Sequence, residues 1–179
     1  MTHIYSKNNS ILVISDIHLK SDADPMTQLL TNWLKQNIAG ASAIYILGDL
    51  FDYWIGPPCL MRFRNLFECL SAISRTCPIY FMSGNRDFLL SQPLLTPFGI
   101  TKIPDPFIIQ NHGQKILLTH GDRLCTRDTA YQWLRFLLQN PLTIALASFL
   151  PNSLCEKIAR YLRRTSQHHT RRKQPPVML

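Results

Sequence analysis

"ILVISDIH", residues Ile11 to His18, is apolar for four positions and then closes on a serine, an aspartate and, two places on, a histidine. The apolar part has the length and β-branched content of a short buried strand. Its final residues are strong ligands for a metal ion. A buried strand that delivers such groups at its carboxyl end points to an α/β sheet with a site along one edge, where ligands of such sheets bind.

The same arrangement recurs along the chain. "AIYIL" (Ala43 to Leu47) runs into Gly48-Asp49, "PIYFM" (Pro78 to Met82) into Gly84-Asn85, and "KILLT" (Lys115 to Thr119) into His120-Gly121-Asp122. One Asp-x-His or Gly-Asp is ordinary turn chemistry, because Asp and Asn form turns readily. Four such endings in strand order predict a shared metal site. Met26, Leu29, Leu30, Trp33 and Leu34 are spaced as one buried helical stripe. Leu60, Phe63, Leu66, Phe67, Leu70 and Ile73 predict a second helix. "FIIQ" (Phe107 to Gln110) and "KILLT" flank Asn111-His112-Gly113, a turn signal for a hairpin. The alternation of strands with helices gives the α/β class.

At 179 residues and 46% hydrophobic content, the chain can bury the core of one ordinary domain. Cys59, Cys69, Cys77, Cys125 and Cys155 are an odd set without a Cys-x-x-Cys pair, which argues against a disulfide framework or a zinc knuckle and for reduced thiols in the cytoplasm. The longest lipophilic stretch, "LTIALASFL" (Leu142 to Leu150), is too short to span a bilayer. Net charge is +8, concentrated in Lys157, Arg160, Arg163, Arg164, Arg171, Arg172 and Lys173. Such a basic end suits phospholipid headgroups or nucleic acid. Leu154, Ile158, Tyr161 and Leu162 oppose the first of these charges, the pattern of a helix at a membrane surface or of a core helix with a charged outer face. From Thr126 onward the sequence is helical without strands, so the expected division is a core at 1–125 and a helical lid with a basic tail at 126–179.

Aspartate, asparagine and histidine without thiolate favour hard or borderline divalent ions, manganese or magnesium first. A pair of such ions is the usual device for splitting a phosphate ester by an activated water.

"DIH", "GDLFDYWIG", "GNRDFLL" and "HGDRLCTRDTAYQ" resemble the calcineurin-like metallophosphoesterases. They are closest to the branch that hydrolyses the pyrophosphate of UDP-2,3-diacylglucosamine, to 2,3-diacylglucosamine 1-phosphate and UMP, in lipid A synthesis. The resemblance implies a β-sandwich flanked by helices, with a helical lid insertion. It implies two manganese or magnesium ions, one on Asp16, His18 and Asp49 and the other on Asp49, Asn85 and His120, with Asp49 as the bridge. Asp49, Asn85, Arg86 and His120 are then the catalytic group. Arg86 stands where many of these enzymes carry histidine. A guanidinium suits a leaving phosphate, which needs charge neutralisation more than a proton; an outward Arg86 paired with Asp87 is the alternative. The resemblance also puts Asn85, Arg86, Asp128, Ser166, Thr170 and Lys173 on the substrate, with Thr170 where asparagine is common. It implies a lipid drawn from the cytosolic face of the inner membrane by peripheral association, rather than a nucleic acid partner.

The family continues with further strands and a Gly-His-Thr-His segment that supplies each metal with another ligand. The sequence has neither before Leu179, which leaves three protein ligands per metal and an open core. "QHHT" (Gln167 to Thr170) lacks the strand and glycine context to replace it, and His3 and His112 read as solvated. Other readings are a non-catalytic remnant with a membrane- or nucleic-acid-binding tail, and a phosphoesterase for another nucleotide or a phosphoprotein.

Overall fold

A computed structural model describes residues 10–122. The expectations for His3, Cys125, Asp128, "LTIALASFL", the basic helix, Ser166, "QHHT", Thr170, Lys173 and the 126–179 unit lie outside the described residues.

The chain begins with β1 (Ser10–Ile14), crosses through α1 (Pro25–Asn37) to β2 (Ala41–Leu47), and continues through α2 (Pro58–Arg62) and α3 (Arg64–Ser74) to β3 (Ile79–Met82). A short α4 (Gln92–Leu95) and a 3-10 turn at Thr96–Phe98 lead to β4 (Ile100–Ile103), and β5 (Phe107–Asn111) and β6 (Gln114–Leu118) close the described part. The first four strands form one parallel sheet in the order β1-β2-β3-β4, and the last two pair antiparallel. Right-handed crossovers that always step the same way place every connecting helix on one face of the sheet. The other face is then left for the hairpin.

Packing follows the two-residue period of the strands. Ile44 and Ile46 of β2 and Ile79 and Phe81 of β3 join Leu30, Leu34, Leu66, Phe67 and Leu70 of the helices. Ala43, Tyr45, Leu47 and Met82 turn the opposite way and meet Ile109 and Leu118 of the hairpin. Tyr45 and Tyr80 stack on that face with ring centroids 4.9 Å apart. Burial on both faces is why β2 and β3 read as unbroken apolar runs. The hairpin turn has φ of 48° at His112 and 77° at Gly113, the two left-handed positions a two-residue primed turn requires; His112 is exposed.

Three expectations need correction. The apolar spacing in α1 does not mark one buried stripe: Thr27, Leu30 and Leu34 are buried, whereas Met26, Leu29 and Trp33 are exposed by 46%, 62% and 37%. The apolar stripe is wider than the arc facing α3 and the sheet, and only its side with Leu30 and Leu34 is covered. The single helix predicted through Leu60 and Ile73 is two helices, broken at Phe63, whose φ of −122° and ψ of 30° leave the helical region. β4 was not apparent, since "ITKI" carries a lysine in a strand of only four residues. Cys59, Cys69 and Cys77 form no disulfide, in keeping with reduced thiols.

Candidate metal centre

The loops that leave β1, β2 and β3 are stitched together by their backbones. Asp16 N–H donates to the Gly48 carbonyl at 3.2 Å, His18 N–H to Asp49 at 3.0 Å, and Leu19 N–H to Leu50 at 2.9 Å. Asp52 N–H returns to Leu19 at 2.9 Å, and Trp54 N–H reaches the Arg86 carbonyl at 2.9 Å. Each loop is also nailed to the core by a large apolar residue beside its polar ones. Leu19, Leu50, Phe51, Trp54 and Leu90 are all 2% exposed or less. Phe51 lies 4.5 Å from Phe63 and 4.9 Å from Trp54, ring centre to ring centre. The alternation in "GDLFDYWIG" therefore has a packing cause: Leu50, Phe51 and Trp54 anchor the segment that presents Asp49 and Asp52.

Within these loops Asp16, His18 and Asp49 have φ of 55°, 56° and 52°. That left-handed conformation costs roughly 1–3 kcal/mol per residue and recurs where function constrains the backbone. It turns side chains of nearby loops inward. Carboxylate oxygens of Asp16 and Asp49 and a ring nitrogen of His120 all lie within 4.8 Å of one another. His18 Nε2 stands 4.0 Å from Asp49 Oδ2, and His120 Nε2 stands 3.8 Å from Asp49 Oδ1. Gly84 makes the close approach possible, because a Cβ there would sit 2.6 Å from the Asp49 amide nitrogen. Asn85 follows in this loop with its side chain exposed, next to Arg86, whose backbone N–H donates to Asp49 Oδ1 at 3.0 Å.

His120 is held from the side away from the aspartates. Its Nδ1 is 2.7 Å from the Leu47 carbonyl, which can only accept, so Nδ1 carries the proton and Nε2 faces the carboxylates with a lone pair. Asp105 steadies the strand end by accepting from the Thr119 hydroxyl at 2.8 Å and from His120 N–H at 3.4 Å. Burial alone would lower the His120 pKa, but Asp122, the Leu47 carbonyl, Asp49 and Asp16 together raise it. Asp49 is 3% exposed, and burial pushes its carboxyl up against the pull of the Arg86 amide, His120, His18 and the Arg86 guanidinium.

Arg86 does not pair with Asp87. Its Nη1 donates to Asp52 Oδ1 at 3.1 Å, and its Nε lies 3.7 Å from Asp49 Oδ2. Asp87 is instead fully buried and accepts backbone amides. Burial, partly offset by the Gly84 amide and reinforced by the charge of Asp49, pushes its carboxyl up to about 6.

Three observations fit a divalent cation at this place. The donors are carboxylate oxygens and imidazole nitrogens, suited to hard and borderline ions. The histidine nitrogens stand 3.8 and 4.0 Å from Asp49, too far for hydrogen bonds and close to the ~3–4 Å that separates two ligands of one ion. His18 Nδ1 is buried without a hydrogen-bond partner among the described residues, so no hydrogen bond from this nitrogen to them holds the ring.

Comparison with known proteins places this site in a family. Residues 10–172 match the calcineurin-like phosphoesterases. The chain belongs to that family. Membership implies divalent metal ions, and the cluster of Asp16, Asp49 and His120 is a possible place for one; the parallel sheet flanked by helices is the α/β architecture expected of this phosphoesterase. Curated relatives carry the name UDP-2,3-diacylglucosamine hydrolase. That of Pseudomonas aeruginosa strain PAO1 is 42% identical over 166 residues, covering 92% of this chain and 69% of the relative. Those of Pseudomonas fluorescens strain SBW25 and Coxiella burnetii strain Dugway are each 41% identical, covering 91% and 89% of this chain and 66% of either relative. The phosphoesterase chain thus spans about two thirds of the length of the relatives it matches. No helix among its described residues is long and apolar enough to cross a membrane.

Sequence reasoning placed Asp16, His18, Asp49 and His120 at strand ends, and the structure brings these four together. It missed Asp52, which holds Arg86, and gave Asp87 only as a partner for Arg86, where it holds the loop backbones instead. The available signal was their placement beside the core residues Phe51, Trp54 and Leu90.

Proposed function

We propose that this chain is a metal-dependent pyrophosphohydrolase that converts UDP-2,3-diacylglucosamine to 2,3-diacylglucosamine 1-phosphate and UMP. Asp16, His18, Asp49, Asn85 and His120 would hold two manganese or magnesium ions, with Asp49 shared. When bound, such ions supply an acidified water and offset charge on the phosphoryl oxygens. The convergence of Asp16, Asp49 and His120 from three separate strand ends, with ligand atoms within 4.8 Å of one another, carries the reading.

The protein's own groups have definable tasks. The Leu47 carbonyl holds His120 in the tautomer whose Nε2 can coordinate. Attack by water on the uridine-side phosphorus breaks its bond to the bridging oxygen, which departs with the sugar phosphate. That leaving group is already an anion, so Arg86, partly exposed and aimed by Asp52, serves it by charge and a forked pair of hydrogen bonds. Asn85, Asp128, Ser166, Thr170 and Lys173 would complete the substrate contacts. Residues 126–179 would act as lid and basic tail over the core at 1–125, bringing the chain to the cytosolic membrane face by charge and one apolar face. The names and identities of the relatives support this substrate.

The test is release of UMP from the diacylated substrate with manganese. Wild-type chain is expected to release it, and Asp49→Ala to lose at least 100-fold (an order-of-magnitude expectation for a bridging ligand). Release that survives in Asp49→Ala refutes the mechanism. Equal turnover of the unacylated UDP-sugar refutes the lipid specificity.

A further inference from the structure

Asp87 follows Arg86 and is completely shielded from solvent, with 0% exposure. A buried carboxylate is costly unless hydrogen bonds compensate it, so the identity of its partners is informative. Oδ1 accepts the Gly84 amide at 2.8 Å, and Oδ2 accepts the Leu50 amide at 2.9 Å. Lys102, whose amine feels the charge of Asp87, gives its hydrogen bond to the Leu90 carbonyl at 2.7 Å. Both oxygens of Asp87 are thus spent on backbone, one in the loop after β3 and the other in the loop after β2.

That bridge spans the place where Asp49 must be held. Asp49 has a left-handed φ of 52°, a conformation its own side chain does not enforce. With the Leu50 amide fixed by Asp87, and Gly84 fixed by the same carboxylate, the Asp49 side chain is delivered to the Arg86 amide at 3.0 Å and to the two histidines. The Asp49 carboxylate then has one orientation.

We propose that Asp87 is a positioning residue for the cation site, a buried clamp between the β2 and β3 loops that sets the direction of Asp49 without touching the ion or substrate. The inference rests on the reading of Asp49 as a metal ligand.

The test compares manganese binding with fold stability in the full chain. Bound Mn(II) is titrated by loss of the free-ion paramagnetic resonance signal, and thermal unfolding is followed by circular dichroism in chelator. Asp87→Ala is expected to weaken manganese binding about 10–100-fold, the usual effect of removing a group that orients a metal ligand, at a temperature where its circular dichroism is native. Leu70→Ala, a cavity in α3, is the control: it should lower the melting temperature and leave manganese affinity unchanged. Asp87→Asn keeps the volume and one acceptor and should fall between wild type and Asp87→Ala; if Asp87→Ala does not fold, a loss of affinity in Asp87→Asn supports the clamp and wild-type affinity overturns it. Wild-type affinity in folded Asp87→Ala, or an equal loss in Leu70→Ala, overturns the inference while leaving the metal site intact. A wild-type chain that takes up no manganese overturns the site and the clamp together.

Discussion

Without metal, Asp87 is expected to make the stability of this protein fall as the pH rises. Its carboxyl has an ordinary value of 3.8 and is pushed up to about 6 by burial. A raised carboxylate pKa means the folded state holds its proton more tightly than the unfolded chain does. The folded protein is therefore favoured most at low pH, and the advantage drains away between 3.8 and about 6. At ~1.4 kcal/mol per pH unit, that gap corresponds to about 3 kcal/mol. Roughly half of it is lost between pH 5 and pH 8, the range in which most other carboxylates are ionised in both states. The assay is urea unfolding in chelator at half-unit steps of pH, for wild type and Asp87→Asn. The asparagine forfeits one acceptor at every pH, which is a constant offset, but has no proton to release. The free-energy difference between the two proteins should change by about 1–2 kcal/mol from pH 5 to pH 8, in the direction that favours Asp87→Asn at high pH. A difference that stays constant over this range refutes the argument that a charged Asp87 is an electrostatic burden on the metal-free fold.

Other substitutions separate the roles of neighbouring residues. Gly84→Ala places a Cβ 2.6 Å from the Asp49 amide nitrogen, so differential scanning calorimetry should show a loss of about 1–3 kcal/mol, and manganese affinity should fall with it; unchanged values of both refute the close approach. Asp52→Asn removes the charge that holds the Arg86 guanidinium and should lower kcat/KM for UMP release about 10-fold, the worth of a charge-assisted hydrogen bond, while manganese binding stays as in wild type. Phe51→Ala empties the centre of the aromatic cluster and should cost about 3–5 kcal/mol in urea unfolding. Leu29→Gln, on the exposed side of α1, should change stability by no more than about 0.5 kcal/mol; a loss of several times that would restore the single buried stripe suggested by periodicity.

The strand ends were legible because two kinds of signal coincide there. β2 and β3 are buried on both faces, so their runs are wholly apolar and their limits are sharp, and the residues that follow are of types that bind metal. The hairpin was legible because Asn-His-Gly can take left-handed values where a tight turn needs them. Burial in α1 was not, since hydrophobic spacing reports which residues could face a core and not how wide the core is. Met26, Leu29 and Trp33 satisfy the spacing and still face outward. The break at Phe63 escaped notice because the apolar period runs on through it. Within the site, ligand types are chemically conspicuous in a sequence, whereas Asp52 and Asp87 differ from any surface aspartate only by their surroundings. Their roles depend on contacts across 34 and 37 residues, which no local pattern encodes.

The hydrogen bond from His120 to the carbonyl of Leu47 has a consequence for assembly. Leu47 ends a strand of the parallel sheet and His120 follows the hairpin, so the imidazole can point correctly only after the hairpin has docked on that sheet. The protein therefore checks its own completion: a half-folded chain presents scattered aspartates and a swinging ring, and the cluster has its geometry only when both layers have closed.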